Sequence, residues 1–435
     1  MAKKKQIELT IEEKLQNALV PKEEQPYKIP SNWCWIRLLE SFVNKTDSKK
    51  KIKQKDYLEE GNYPIVDQGR DLIGGYTNDD KLIIYIKKPI IVFGDHTRCI
   101  KYINFDFVQG ADGTKILEPK KIFLEKYFYY AFKNINIPSL GYRRHYPMFN
   151  KLKIQIAPIN EQQRIVNRIE SLFTKLDRAK ELIENALAQF EQNKMAILHK
   201  AFTGELTAKW RKENNIDLSS WQEKTIDELC TSLKYGTSKK SKPEGSVVVL
   251  RMGNLQNGEI DWSNLMYTDD KDDIEKYLLK KGDVLFNRTN SPELVGKTSI
   301  YRGEYPAIYA GYLIKLDYGK DIIGEYLNYM MNSTKAKHYC YTVKTDGVSQ
   351  SNINAKKIGA FEIPVPTIEE QQEIVNILDK LLAKYNKIKN LEQQLEKIEL
   401  LKKAILAKVF RGELGTNNPD EESAENLLKE ILAEK

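Results

Sequence analysis

The sequence predicts an α+β protein: two mixed α/β domains alternating with two long helices that pair as an antiparallel coiled coil, the whole forming a pseudo-two-fold internal repeat. Three observations predict it. The segment EQQRIVNRIESL at Glu161 recurs as EQQEIVNILDKL at Glu370, and AILHKAFTGEL at Ala196 recurs as AILAKVFRGEL at Ala404. The landmarks Glu161 and Gly204 lie 43 residues apart, and their counterparts Glu370 and Gly412 lie 42 apart. Between them, apolar residues fall on alternating 4-3 spacing, and no proline interrupts either copy.

The chain of 435 residues is 41% hydrophobic and 30% charged, enough apolar content for two or three packed domains. A first domain is expected over 1–160, opening with a short helix. Its KKPIIVF at Lys87 reads as a turn into a buried strand, and KYFYY at Lys126 as a short aromatic helix or strand. KIQIAPI at Lys153 reads as a closing strand ended by Pro158. The first long helix is expected over 161–207, with Ile165, Ile169, Leu172, Leu176, Ala179, Ile183, Ala186, Phe190 and Ile197 on the seam and Asn193 as a polar slip. A second domain over 208–368 echoes the first: Trp221 for Trp33, KKGDVLF at Lys280, EYLNY at Glu325 and AFEIPVP at Ala360, ended by Pro366. The second long helix, 369–414, carries Ile374, Ile377, Leu381, Ile388, Leu391, Leu395, Ile398 and Ile405, with Lys384 and Lys402 as slips. About 38 seam residues at 1.5 Å each make a rod of about 57 Å. Two equal seams in one chain pair most simply with each other, antiparallel, because a domain is threaded between them. Pairing of each seam with another molecule is the alternative. Residues 415–435 form an acidic tail with no place in the repeat.

Mean hydropathy is −0.55 and no apolar run approaches 18 residues, which argues against a membrane span. MAKKKQIELT has a basic start without an apolar core, so it is not read as a secretory signal. Cys34, Cys99, Cys230 and Cys340 are scattered, as free thiols in a reducing cytoplasm would be. Net charge is +8, with +9 in 1–160, +2 in 208–368, near zero in both helices and −4 in the tail. That basic excess in the domains is a footprint of nucleic-acid binding. No phosphate loop, GxGxxG, HExxH or Gly-x-Ser-x-Gly elbow occurs, nor any Pro-Pro for a base-methylation loop. Gly94-Asp95-His96 reads as turn chemistry. The chain is expected to be non-catalytic and to bind no cofactor or metal itself.

Two variable domains alternating with repeated helices that open EQQ and close GEL resemble the specificity subunits of type I restriction-modification systems. LRMGN at Leu250, KKGDVLFNR at Lys280 and the N-terminal IEEKLQNALVPKEEQPYKIPSNWCW match that family's pattern as well. The resemblance implies that each domain is a target recognition domain reading one half of a bipartite, asymmetric sequence in double-stranded DNA. It implies that the coiled coil sets the spacer, and that two modification subunits dock on the chain, bringing S-adenosylmethionine and adenine-N6 methylation. Two restriction subunits, with ATP and Mg, would complete a nuclease. A specificity subunit of a related methyltransferase-only or type IIB-like system is an alternative. The residues alone also leave open a coiled-coil scaffold with no DNA role.

Base edges are read by Arg at guanine and by Asn or Gln at adenine. In the first domain the loop GYRRHY offers Arg143, Arg144, His145 and Tyr146. The loop aligned with it in the second, GVSQSN at Gly347, offers Ser349, Gln350 and Asn352. Further candidates are Gln68 and Arg70 in IVDQGR, with Arg251 and Asn254 in the matching RMGN. Arg288, Thr289 and Asn290 follow LFN, opposite His96, Thr97 and Arg98. The lysine runs Lys49, Lys50, Lys51, Lys53, Lys55 and Lys239, Lys240, Lys242 suit phosphates, which position without specifying. The exposed helix faces, together with the EQQ and GEL ends, are expected to form the docking surface for the modification subunits.

Overall fold

A computed structural model describes residues 10–386 and 389–433, without the side chains of 384–386 and 389–390. The basic N-terminal start, the side chain of Lys384 and the whole of Ile388 lie outside this description. The chain divides into two compact units, Met1–Leu182 with Gln393–Lys435, and Ile183–Glu392. Each unit takes one globular part together with one end of each long helix.

In the first unit, KKPIIVF supplies the strand Ile90–Gly94, buried at all five positions. Such a continuous apolar run suits an interior strand covered on both faces. It lies inside an antiparallel sheet ordered Phe42–Asn44, Thr114–Pro119, Ile90–Gly94, Ile100–Ile103. A second sheet sets Tyr63–Val66 parallel to Phe107–Gly110, with Lys51–Ile52 on the other side of 107–110. A third pairs Cys34–Arg37 with the closing strand Lys153–Ile156. KYFYY resolves as helix: Glu125–Asn134 buries Tyr127, Phe128, Ala131 and Phe132, a stripe at helical spacing. Phe93, Phe132 and Phe149 meet at its centre, with ring centroids 4.9–5.8 Å apart.

The second unit repeats this plan with other residues. Its four-stranded sheet is ordered Cys230–Tyr235, Leu313–Tyr318, Val284–Asn287, Thr298–Ile300. Val247–Leu250 runs parallel to Ala307–Tyr309, and Gln222–Thr225 pairs with Glu362–Val365. The helix Gly324–Met331 stands where Glu125–Asn134 stands in the first unit; an additional helix, Thr334–Val343, follows it.

The first long helix is continuous from Ile159 to Phe202, 44 residues, or about 66 Å. The second comprises Ile368–Asn386 and Lys389–Val409. In the first unit Ile165 and Ile169 share a core with Leu406, Val409 and Phe410. Lys402, a slip in the apolar pattern, reaches Asp177 at 2.5 Å and lies over the Phe173 ring. In the second unit Leu198 and Ala201 share a core with Ile374, Val375 and Leu378. The start of one long helix thus meets the end of the other in both units, which is antiparallel pairing. Seam positions are fully buried where the globular part covers them and half-buried further along, as at Leu172, Leu176 and Ala179. Leu378, rather than the expected Ile377, is the buried residue of its turn.

The acidic tail is folded. Its helix Ala424–Ala433 packs on the N-terminal helix Ile11–Ala18, with Lys429 bonded to Glu12 and Ala424 and Leu428 in the core of the first unit. All four cysteines are free, and burial pushes the Cys34, Cys230 and Cys340 thiols up to about 12, so they stay protonated and unreactive. Among the described residues no helix is long and apolar enough to cross a membrane.

Candidate nucleic-acid interface

Both units are held by the same two buried side chains of the repeated EQQ. Glu161 accepts from Trp33 Nε1 at 2.7 Å, Asn417 Nδ2 at 2.9 Å and Thr416 Oγ1 at 3.3 Å. Glu370 accepts from Trp221 Nε1 at 2.9 Å, and from Thr207 Oγ1 and Arg211 Nη1, both at 2.6 Å. Gln162 accepts from Leu124 N and donates to Ile122 O and Ala157 O. Gln371 accepts from Ile323 N and donates to Asp321 O and Pro366 O. These bonds tie the long helix to the turn before the domain helix and to the end of the closing strand. The expectation that the whole EQQ faces a partner is therefore corrected. Its first two residues are fully buried, because a carboxylate and an amide must be satisfied where helix, sheet and turn converge. Only Gln163 and Gln372 are exposed. At the other motif, Gly204 and Gly412 both adopt left-handed backbone, φ 79° and 78°, ending their helices as only glycine does without strain.

On this frame, the loops rich in candidate DNA contacts gather at the strand ends. In the first unit, Asp95 is the buried anchor: its backbone oxygen accepts from His145 N, and its carboxylate accepts from Tyr146 N at 2.6 Å. Gln68 Oε1 accepts from His96 N, and Gln68 O accepts from Thr97 Oγ1. His96 Nδ1 lies 3.0 Å from Tyr142 O. The 68–70, 94–98 and 141–146 loops therefore form one cluster. Arg143 and Arg144 are exposed on it. Arg144 and Lys53 act on Asp112, whose carboxyl is held below the ordinary value chiefly by the 2.6 Å bond from Lys51. Arg144 and the first lysine run thus make one cationic rim. Tyr146 is half-buried, its hydroxyl accepting from Asn44 Nδ2 and its ring lying under Lys115. Arg98, in left-handed backbone with φ 62°, donates to Ile137 O at 3.0 Å. Arg70 is exposed.

In the second unit, Thr289–Asn290, Ser351–Asn352 and Thr345–Asp346 pair as a small three-stranded sheet. Arg288 lies over the Tyr235 ring at 4.8 Å and donates to Asn352 Oδ1 and Gly311 O. Asn352 Nδ2 donates to Thr289 Oγ1 at 2.7 Å, and Asn290 Oδ1 accepts from Ser291 N. Ser349 and Gln350 are exposed at the tip of the hairpin, which Gly347 N closes onto Gln350 O at 2.8 Å.

Several sequence-chosen residues spend their polar groups inside the fold. His145 is fully buried, Nδ1 on Asp95 O and Nε2 accepting from Leu140 N, so it holds the loop rather than reading a base. Asn254 is buried and spends its amide on Arg251 N, Asp261 O and Ser263 O. Arg251 donates to Asn264 O. Lys239 is paired with Asp270 at 2.7 Å and Asp273 at 3.5 Å, which raises its pKa and offsets its charge; Lys240 is exposed.

Two alignments shift. Asp95 N donates to Gly113 O and Arg288 N to Tyr312 O at the same place in the sheet, so Arg288 stands opposite Asp95, not His96. His145 N donates to Asp95 O, but Ile353 N, not Ser351 N, donates to Arg288 O. The two loops occupy the same site in different registers because one is irregular and the other is a hairpin. Tyr235 was missed by the sequence reading. Its position just ahead of the GTSKK lysines, ending a strand, was the available signal.

A sequence profile described as the type I restriction modification DNA specificity domain matches residues 30–189 and 219–400. The chain belongs to that family. Members of this specificity family similar to the chain include the type I restriction enzyme EcoKI specificity subunit of Escherichia coli, 30% identical over 66% of this chain and 65% of that one. The alignment thus spans just under two thirds of that relative. The EcoDI specificity subunit, also from Escherichia coli, is 26% identical over 94% of this chain and 96% of its own length. A chain from a structural study of complex assembly and conformational transition in the type I restriction-modification system shares the fold. Its TM-score is 0.63 at 18% identity, covering 89% of this chain and all of that one.

Proposed function

We propose that this chain is the non-catalytic specificity subunit of a type I restriction-modification complex, each unit reading one half of a bipartite, asymmetric DNA target. The observation that carries the reading is a matched frame with mismatched rims. The Glu-Gln latches, sheet orders and parallel strand pairs repeat, while the exposed loop is Arg143-Arg144 in one unit and Ser349-Gln350 in the other. A duplicated reader needs that combination. Arginine suits guanine O6 and N7, and glutamine suits adenine N6 and N7. Lys51 and Lys53 beside Arg144 supply phosphate contacts that set register. The antiparallel helices would fix the spacer between half-sites.

Two modification subunits are the proposed partners, bringing S-adenosylmethionine, with two ATP- and Mg-dependent restriction subunits beyond them. Support comes from exposed residues that repeat although packing does not require it. Ile159 and Ile368 are both exposed, Gln163 donates to Asn167 and Gln372 to Asn376, all on the outer face of the helix start. One partner surface meeting two copies of this strip explains the identity.

The test is methylation mapping of host DNA after co-expression with the modification subunit. One split motif is expected. Arg144→Ala should relax one half-site only, by about 1–3 kcal/mol if the arginine reads a base. Weakening of all sequences alike, with a salt slope lower by about one, would make it a phosphate contact. No motif-specific methylation would sink the reading.

A further inference from the structure

The two most exposed large hydrophobic side chains among the described residues are Val348, at 109%, and Tyr142, at 94%. The Tyr142 ring meets one neighbour, the His96 ring, with centroids 6.0 Å apart and tilted by 35°, and that contact leaves it open to water. Both stand at the tip of the loop that carries their unit's exposed polar readers, Tyr142 beside Arg143 and Val348 beside Ser349. Their placement is not that of a slack loop. Below Tyr142, buried His145 binds Asp95 O and Leu140 N, while Tyr142 O lies 3.0 Å from His96 Nδ1. Below Val348 the hairpin is closed by Gly347 N on Gln350 O, by Ser351 Oγ on the Asp346 carboxylate, and by a Lys344–Asp346 ion pair at 2.5 Å. Each unit therefore presents an apolar group fully to water on an anchored support. A cationic rim of Arg144, Lys51 and Lys53 flanks the first.

We propose that Tyr142 and Val348 are wedges: each enters the base stack beside the bases its own loop reads and unstacks one step there. This rests on the half-site reading above. The physical case is that apolar side chains find little apolar surface on an intact duplex other than thymine methyls. A step opened by insertion offers base faces on both sides, and apolar wedges of this kind kink and unstack DNA. An aromatic ring stacks on any base, and a branched aliphatic fills the gap without stacking, so one position tolerates different residues. The role also suits an assembly that modifies a base. A base must leave the stack before chemistry on it, and unstacking is a cost that a neighbouring wedge lowers. A non-catalytic chain would thereby act on the rate of methylation in each half separately.

The experiment uses the chain assembled with its modification subunits and duplexes carrying 2-aminopurine at successive positions of each half-site. Binding should raise fluorescence at one step in each half. Tyr142→Ala should abolish the rise in one half only and slow methylation of that half by about tenfold, the scale of one lost stacking contact. Tyr142→Phe should keep both. Val348→Ala should do the same in the other half, and Val348→Ile should restore it. These substitutions remove no buried contact, so folding is not at issue. Unchanged fluorescence and rates in both alanine variants would overturn the proposal. So would a loss of affinity reproduced by replacing one thymine with uracil without any fluorescence change, which would mean a methyl contact. If the unaltered complex did not distinguish target from scrambled duplex, the half-site reading would fail first, and the wedges with it.

Discussion

The latch around Glu370 and the latch around Glu161 do the same job with different donors. In the second unit the donors Thr207 and Arg211 sit on the segment that runs on from the first long helix into the second domain. The closing charge is internal: Arg211 is buried against Glu370, stacks on Trp221 and also donates to Gly204 O. In the first unit the segment that runs on from the second long helix, the acidic tail, supplies the donors. Thr416 and Asn417 reach Glu161, while Arg164 leaves the carboxylate alone and clasps Glu421 in a bidentate pair at 2.7 and 2.9 Å. Asn32 adds bonds to Asn418 O and to Ala424 N. The repeat preserves the buried acceptor and lets its donors change. A cation on the carboxylate itself closes one unit, and neutral donors with a separate Arg164–Glu421 pair close the other.

That difference can be broken. Deleting residues 416–435 should loosen the first unit and leave the second as it was. The loss includes two donors to a buried carboxylate and the burial of Leu428, together about 3 kcal/mol or more. Hydrogen exchange should show lost protection in 11–44 and 159–170; equal loss around Glu370 would refute the separation. Next in size, Arg211→Ala leaves Glu370 buried without its cation and should cost about 3–5 kcal/mol. The matching Asn417→Ala removes one neutral donor and should cost about 1–3 kcal/mol. Denaturant midpoints in the full chain, followed by exchange in each unit, give the ratio. Costs of the same size would mean the buried charge pair adds nothing.

Gln162 and Gln371, unlike the two carboxylates, keep matching partners in both units. Their three bonds match within 0.1 Å, at 2.8, 2.9 and 2.9 Å against 2.8, 3.0 and 3.0 Å. Gln162→Ala and Gln371→Ala should therefore each cost their unit the same, about 1–3 kcal/mol. A clear inequality would show that the repeat is structural in appearance only. The smallest effect is in pH. The Arg164 hydrogen bond holds the Glu421 carboxyl below its ordinary 4.5. Its contribution is whole above that value and is lost as pH falls through the lowered one. Protection of the tail helix should decline as pH falls below 4.5 and through the lowered value. Both groups of the tail pair are partly exposed, so the effect should shrink in high salt. A tail insensitive to acid would assign its docking to Ala424 and Leu428 alone.

Much of the first-unit site was legible because it is local. GYRRHY and the lysine run announce a cationic loop, and both meet around Asp112. What was not legible is which of those side chains the fold consumes. His145 and Asn254 have the chemistry of base readers, yet each satisfies backbone groups that folding would otherwise leave unpaired. Hydrogen-bonding capacity is a property of the residue; whether it is spare depends on what the chain buries beside it.

The duplication, the two long helices, their family and the order of domains were legible in the sequence, because recurring segments at fixed spacing and a 4-3 apolar period need no three-dimensional context. It also placed the buried strands, and the aromatic segment at Lys126 without choosing between helix and strand. Only the tertiary structure decided that Glu161 and Gln162 turn inward, that the acidic tail closes the first unit, and that Arg288 stands opposite Asp95. Those facts turn on contacts between residues separated by as many as 417 positions, as in Lys429 and Glu12. Burial and pairing at such distances are set by how sheets and helices stack, which no local pattern of residues encodes.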